Sequence, residues 1–277
     1  MNPIVKETKY DKLIEKIARK ERILVNATRI ASFAVLLSLL PFHVTMPNSD
    51  KVVNYDGLHP VMALLLLALC YFIELVLHAK LIYPELTDPL TVECDPEKYL
   101  ALNVALSRPR YLPRICSEAY TYLGNFSEAI KHAKNMITDK NYRYSLEGYY
   151  YKAVCEFFLG DYESLKKTAK EYSDKLSSNE KIKPRAALIY QNKNHVLELI
   201  CAIADNDANK INELRGGLTF SKKSKADEVF TQYINGLAAA RLNDKETAEK
   251  SFKWVKENAP KTVFASLAEE QIDLLQG

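Results

Sequence analysis

Glycine is scarce in this chain, with eight positions in 277 residues, and proline little commoner, with eleven. Few breakers of either kind argue for long regular elements joined by short connections. Strand-like runs of Val, Ile and Thr are nearly absent, while Ala, Leu, Lys and Glu dominate, which predicts an all-α protein. Cys70, Cys94, Cys116, Cys155 and Cys201 are odd in number, scattered and without a C-x-x-C pair, which argues for free thiols over a disulfide framework or a zinc site. His43, His59, His78, His132 and His195 supply neither metal-ligand spacing nor H-E-x-x-H. No G-x-S-x-G occurs, and Gly216-Gly217 stands without the rest of a phosphate loop, reading as a helix break. No cofactor and no catalytic set is therefore expected; the degenerate unit around Asn206 or the stretch Lys175 to Lys193 is the remaining place for a concealed enzyme. A formal net charge of +3 is too small to steer the chain toward nucleic acid.

Two long apolar runs stand out. Ile30 to Ser49 has no formal charge, and a second run begins at Leu58 with "LHPVMALLLLALCYFIELVLHAKLIY". A bilayer core needs roughly 20 apolar residues in a helix, and both runs are apolar all round where a surface helix would carry one stripe. They predict a two-span transmembrane hairpin over residues 30–83, with spans at about 28–47 and 58–80 by that length rule; two buried core helices are the alternative. Arg29, Glu74 and Lys80 would sit at the membrane interface, although an intramembrane carboxylate such as Glu74 is also a functional candidate. Lys6, Lys9, Lys12, Lys16, Arg19, Lys20 and Arg22 precede the first run, and Lys80, Arg108, Arg110 and Arg114 follow the second. The excess of positive flanks places both termini in the cytoplasm at the cell membrane, with a short external connector. Residues 1–29 read as a basic amphipathic segment, with Tyr10, Leu13, Ile14, Ile17 and Leu24 at helical spacing. Such a segment would lie on the inner leaflet or pack against a partner.

Residues 84–94 ("PELTDPLTVEC") carry two prolines and several turn formers and read as a linker. Asp95-Pro96 then has the form of a helix start, Asp as N-cap and Pro in the first position. From there the order helix, short turn, helix recurs. Gly124-Asn125-Phe126 returns as Gly160-Asp161-Tyr162 and, at intervals, as Asn206-Asp207 and Asn243-Asp244. Gly124 to Gly160 is 36 residues and Asn206 to Asn243 is 37, while the longer middle step implies an insertion around "SSNEKIKPR". Small residues at Ser117, Ala153 and Gly236 would let the second helix of each pair approach the first, and Phe126, Tyr162 and Phe252 would fill the space between neighbours. Leu199 stands where the third unit should be small. In small residue, Tyr, turn, aromatic and Ala (Ser117, Tyr120, Gly124, Phe126, Ala129), and in Gly236, Ala248, Phe252 and Pro260, the chain resembles tetratricopeptide repeat proteins, whose period is about 34 residues. The resemblance covers residues 95–277 and implies an α-solenoid of antiparallel helix pairs, closed by a capping helix over Thr262 to Leu275.

The resemblance also implies a concave groove lined by the first helix of each pair. Carried onto this chain, the groove positions are Tyr111, Arg114 and Glu118, then Glu147, Tyr150 and Phe157, then Phe230, Tyr233 and Arg241. Arg and Tyr are frequent interface anchors, and an extended peptide or helix with an acidic or C-terminal carboxylate would suit them. The expectation is a membrane-anchored scaffold that binds a protein or peptide. The alternative is an accessory subunit of a membrane transport or secretion complex, with the hairpin making the main contacts. The Lys222, Lys223, Lys225 run reads as a solvated loop rather than a lipid or phosphate contact.

Overall fold

The protein is described by a computed structural model over residues 9–40, 42–45, 52–55, 60–138, 140–178, 184–217 and 224–276, with backbone alone for 42–45, 52–55 and 184–186. The start of the basic segment, most of the middle insertion and Lys222 and Lys223 lie outside the described residues. The chain divides into two compact units, Met1–Leu86 and Thr87–Gly277. Among the described residues the fold is helical apart from one short antiparallel ribbon.

In the first unit α1 (Asp11–Leu37) and α2 (Pro60–Leu81) pack together, and β1 (Phe42–Thr45) pairs with β2 (Val52–Tyr55) in the register Phe42 to Tyr55. Lys20 forms an ion pair with Glu85, and Glu21 lies 3.6 Å from His78 Nε2. The N-terminal half of α1 therefore runs beside the C-terminal end of α2. By that register Arg29 and Glu74 fall at nearly one level of the pair, about 13 Å along α1 from Lys20. Ile17, one of the apolar positions of the basic segment, is fully buried.

The first expected span, residues 28–47, is not one helix. α1 ends at Leu37, Leu39 and Leu40 turn tightly onto the carbonyls of Leu36 and Leu37, and residues 42–45 are extended. Pro41 supplies the reason: it has no N–H to donate and disfavours helical backbone at Leu40. The uncharged part of α1, Ile30 to Leu37, rises only about 12 Å. By contrast α2 is long and apolar enough to cross a membrane, rising about 33 Å over its length. Leu64, Leu65, Leu69, Phe72 and Leu75 on α2 are all exposed.

The expected linker is mostly helix. α3 (Tyr83–Thr91) carries the chain across the division between the units, with Pro89 inside it. Pro84 falls in the first turn, where a missing N–H leaves no bond unmade. The chain turns instead at Cys94, whose φ is 50°.

The second unit begins with α4 (Pro96–Leu106), capped by Asp95, whose carboxylate accepts from the Lys98 N–H at 2.9 Å. A 3-10 turn at Pro109–Tyr111 leads into α5 (Leu112–Tyr122) and α6 (Phe126–Ile137), then α7 (Tyr142–Phe158) and α8 (Tyr162–Ser177). α9 (Pro184–Ala204), α10 (Ala208–Arg215), α11 (Lys225–Arg241), α12 (Lys245–Asn258) and α13 (Val263–Gln276) follow. Each of α5, α7, α9 and α11 packs on the helix that follows it and on the next member of its own row.

Four turns join these pairs with one geometry. Gly124, Gly160, Asn206 and Asn243 take φ of 78°, 74°, 55° and 59°. In each, the next residue's N–H bonds a carbonyl five back: Asn125 to Tyr120, Asp161 to Glu156, Asp207 to Ala202 and Asp244 to Ala239, at 2.9–3.0 Å. This is the left-handed Schellman ending, which Gly and Asn tolerate best. Asp161, Asp207 and Asp244 then cap the following helices through the N–H groups of Ser164, Lys210 and Thr247. The third pair holds the same turn although Leu199 stands fully buried at its usually small position. At Gly236 a Cβ would fall 2.6 Å from the Phe252 ring, so α11 and α12 meet at a distance only glycine allows.

The last helix also reaches the first pair. Phe264 of α13 is fully buried. Its ring lies 5.4 Å from Tyr122, 5.5 Å from Phe158 and Tyr233, and 5.6 Å from Phe230. Lys261 bonds Asp95 at 2.6 Å, and a Cβ at Gly124 would meet Val263 at 2.7 Å. Beyond covering the face of the last pair, α13 draws the two ends of the row together through an aromatic centre. Tyr162, expected between helices, is exposed.

Candidate functional site

The closure decides which groove positions are free. Phe157, Phe230 and Tyr233 are 8%, 6% and 3% exposed and pack in the core. Phe157 and Tyr233 are corrected from ligand positions to structural ones, Tyr233 against Phe264 and Phe157 edge-on against Phe158, whereas Phe230 meets Phe264 and also lines the cavity described below. Arg241 is exposed in the last turn of α11, outside the lining described below. Tyr111 is exposed in the 3-10 turn, under the Arg110 guanidinium at 4.6 Å. In the first unit Arg29 is exposed on α1, Glu74 half-buried on α2 and Lys80 exposed near its end.

Glu118 and Tyr150 line a cavity of about 260 Å³ between α5, α7, α9 and α11, and Arg114 and Glu147 lie close enough to act on its charges without lining it. Its walls include Glu118, Tyr122, Tyr150, Tyr151, Lys193 and Asp227. Glu118 and Tyr122 are one helical turn apart on α5, as are Glu147, Tyr150 and Tyr151 on α7, so each helix presents its polar and aromatic groups to one side.

Lys193 forms an ion pair with Glu147, and its ammonium sits 4.5 Å from the Tyr150 ring centre and 5.5 Å from that of Tyr151. Burial alone pushes the Glu147 carboxyl up, but Lys193 and then Arg114 together hold it below the usual carboxylate range. Glu118, and after it Glu147, keep the Arg114 guanidinium firmly protonated against its desolvation. Glu118 also accepts from the Tyr99 hydroxyl at 2.9 Å. Asp227, in the first turn of α11, keeps an exposed edge, yet crowding by protein and then the Glu118 charge push its carboxyl up. Burial pushes the phenols of Tyr122, Tyr150 and Tyr151 well above their ordinary value.

This arrangement departs from the expected recognition of an acidic ligand. Arg114 stands among carboxylates that already answer its charge. Around the cavity three carboxylates, Glu118, Glu147 and Asp227, face two cations, Arg114 and Lys193, leaving one net negative charge. Nothing in the set resembles an acid, base and nucleophile in mutual reach. Tyr122, Tyr151, Lys193 and Asp227 escaped the sequence reading. Tyr122 and Tyr151 are a helical turn or one residue from positions it chose, whereas Lys193 belongs to α9, in the unit that matches the repeat pattern least. No family model, no curated protein and no solved structure matches this chain.

Proposed function

We propose that this chain is a membrane-anchored adaptor of tetratricopeptide-like architecture, whose helix-pair unit binds a protein or peptide partner at the cavity between α5, α7, α9 and α11. The observation that carries the anchor is α2, a helix of membrane-crossing length whose large side chains Leu64, Leu65, Leu69 and Phe72 are exposed. Leaving such a surface in water costs about 25 cal/mol per Å², and lipid removes that cost. In this reading α1 accompanies α2 with its segment Ile23 to Leu37, and both termini lie on the cytoplasmic side of the cell membrane. Tethering confines the second unit to the membrane surface, which raises its effective concentration toward partners there. The four-pair row and its polar cavity support binding rather than catalysis.

Arg29 and Glu74, at one level of the α1–α2 pair and without a contact ion pair among the described residues, favour a second reading. In it these charges meet another membrane protein's helix, and the chain is an accessory subunit of a transport or secretion complex. Alkaline carbonate extraction of cells expressing the full chain tests the anchor. The chain is expected in the membrane pellet and released only by detergent. Recovery in the soluble fraction without detergent would refute the anchor.

A further inference from the structure

The cavity has a feature that a structural core lacks. Tyr122 and Tyr151 are 6% and 7% exposed, and among the described residues neither hydroxyl has a hydrogen-bond partner. Both line the cavity, as does the Tyr150 hydroxyl, which is equally without one. These hydroxyls open onto the cavity and are not sealed in the core, so they stand available to a group that arrives from outside. Glu118 and Asp227 line the same space, and neither makes a contact ion pair among the described residues. Lys193 shows what the walls accept: its ammonium already lies against the Tyr150 and Tyr151 rings, with Glu147 as counter-ion.

We propose that the cavity receives a lysine or arginine side chain of the partner, its cationic head between the Glu118 and Asp227 carboxylates and hydrogen-bonded to the Tyr122 and Tyr151 hydroxyl oxygens. The inference rests on the adaptor reading and adds the chemistry of the ligand. Charge decides the class. An ammonium or guanidinium meets a net negative, tyrosine-walled space, where carboxylate and ring face both favour it. An acidic head would meet the Glu118 and Asp227 carboxylates, with Lys193 already paired to Glu147. A guanidinium fills the volume more fully and can bond both carboxylates at once. Crowding at the Asp227 carboxyl and its proximity to Glu118 agree with a site that a cation relieves.

The test uses the full chain in lipid nanodiscs with 3-fluorotyrosine replacing tyrosine, and ¹⁹F resonances assigned by single Tyr→Phe variants. The probes are the α-acetyl amides of arginine, lysine, norleucine and glutamate. The arginine and lysine probes are expected to shift the Tyr122, Tyr150 and Tyr151 resonances saturably; norleucine and glutamate are not. Glu118→Gln and Asp227→Asn, nearly isosteric, should each weaken the cationic probes about tenfold, with the helical circular dichroism of the full chain unchanged. Saturable shifts by the glutamate probe alone would overturn the charge assignment and leave the adaptor reading standing. Indifference of the tyrosines to all four probes overturns the inference; if Tyr150→Ala also retained every partner in cells, the groove reading would fall with it.

Discussion

Replacing Phe264 by alanine tests whether the row of helix pairs is closed by α13. The side chain is fully buried and meets four rings, Tyr122, Phe158, Phe230 and Tyr233, at 5.4–5.6 Å. Deleting a buried phenylalanine costs about 3–5 kcal/mol through lost transfer energy and the cavity left behind. Each aromatic pair adds about 0.5–1.5 kcal/mol beyond area burial, though four pairs sharing one ring will not sum. The expected loss is therefore about 4 kcal/mol, a large share of the 5–15 kcal/mol that holds a typical domain together. The sole tryptophan, Trp254, lies in α12, so its fluorescence reports the second unit. In urea titration of the full chain in detergent, Phe264→Ala should move the Trp254 midpoint down by about 1–2 M for a slope of 2–3 kcal/mol/M. Phe264→Leu should lose about half as much. A shift in Phe264→Ala equivalent to less than about 1 kcal/mol would refute closure through this ring.

Three further exchanges probe the parts from which that unit is built. Gly160→Ala should cost about 1–2 kcal/mol by the same readout, because nothing lies within 4 Å of the added Cβ and only the φ of 74° is strained. Asn243→Gly should be neutral or gain up to about 1 kcal/mol, and a loss there would contradict the left-handed turn. Gly236→Ala should cost about 1–3 kcal/mol by overpacking against Phe252, with an unchanged midpoint the contrary result. Glu147 has a depressed folded-state pKa, so its contribution is fully present above the unfolded value of about 4.3 and fades as pH falls through the folded value. The stability gap between wild type and Glu147→Gln should therefore be largest near pH 7 and narrow as pH drops below about 4; a gap that widened on acidification would reverse the assigned sign.

The turns were the most legible part of the chain. A left-handed ending needs Gly or Asn, and a helix start favours Asp, so Gly160-Asp161 and Asn243-Asp244 mark the fold by local chemistry alone. That rule reads even the third pair, where Leu199 breaks the packing pattern. Closure was not legible, because the partners of Phe264 are up to 142 residues away and no local spacing encodes them. The same distance explains why Phe157 and Tyr233 looked like groove residues. They lie on the inner row of helices, where the side facing a ligand and the side facing Phe264 carry the same aromatic composition. α3 was hidden by its prolines, whose count suggests a linker while their positions in the helix decide otherwise. The first apolar run showed composition but not continuity, and Pro41 divides it.

The central claim is that a partner engages the cavity of a membrane-tethered helical unit. Ile189 lines that cavity and is 53% exposed, so it can carry a benzophenone photo-crosslinking amino acid in the full chain expressed in cells. Lys134, exposed on α6 away from the lining, serves as the comparison site. Irradiation is predicted to give a discrete adduct from position 189 in the membrane fraction, absent from position 134 and lost when Asp227→Lys is added. Equal adducts from both positions, or an adduct from 189 indifferent to Asp227→Lys, would contradict the account.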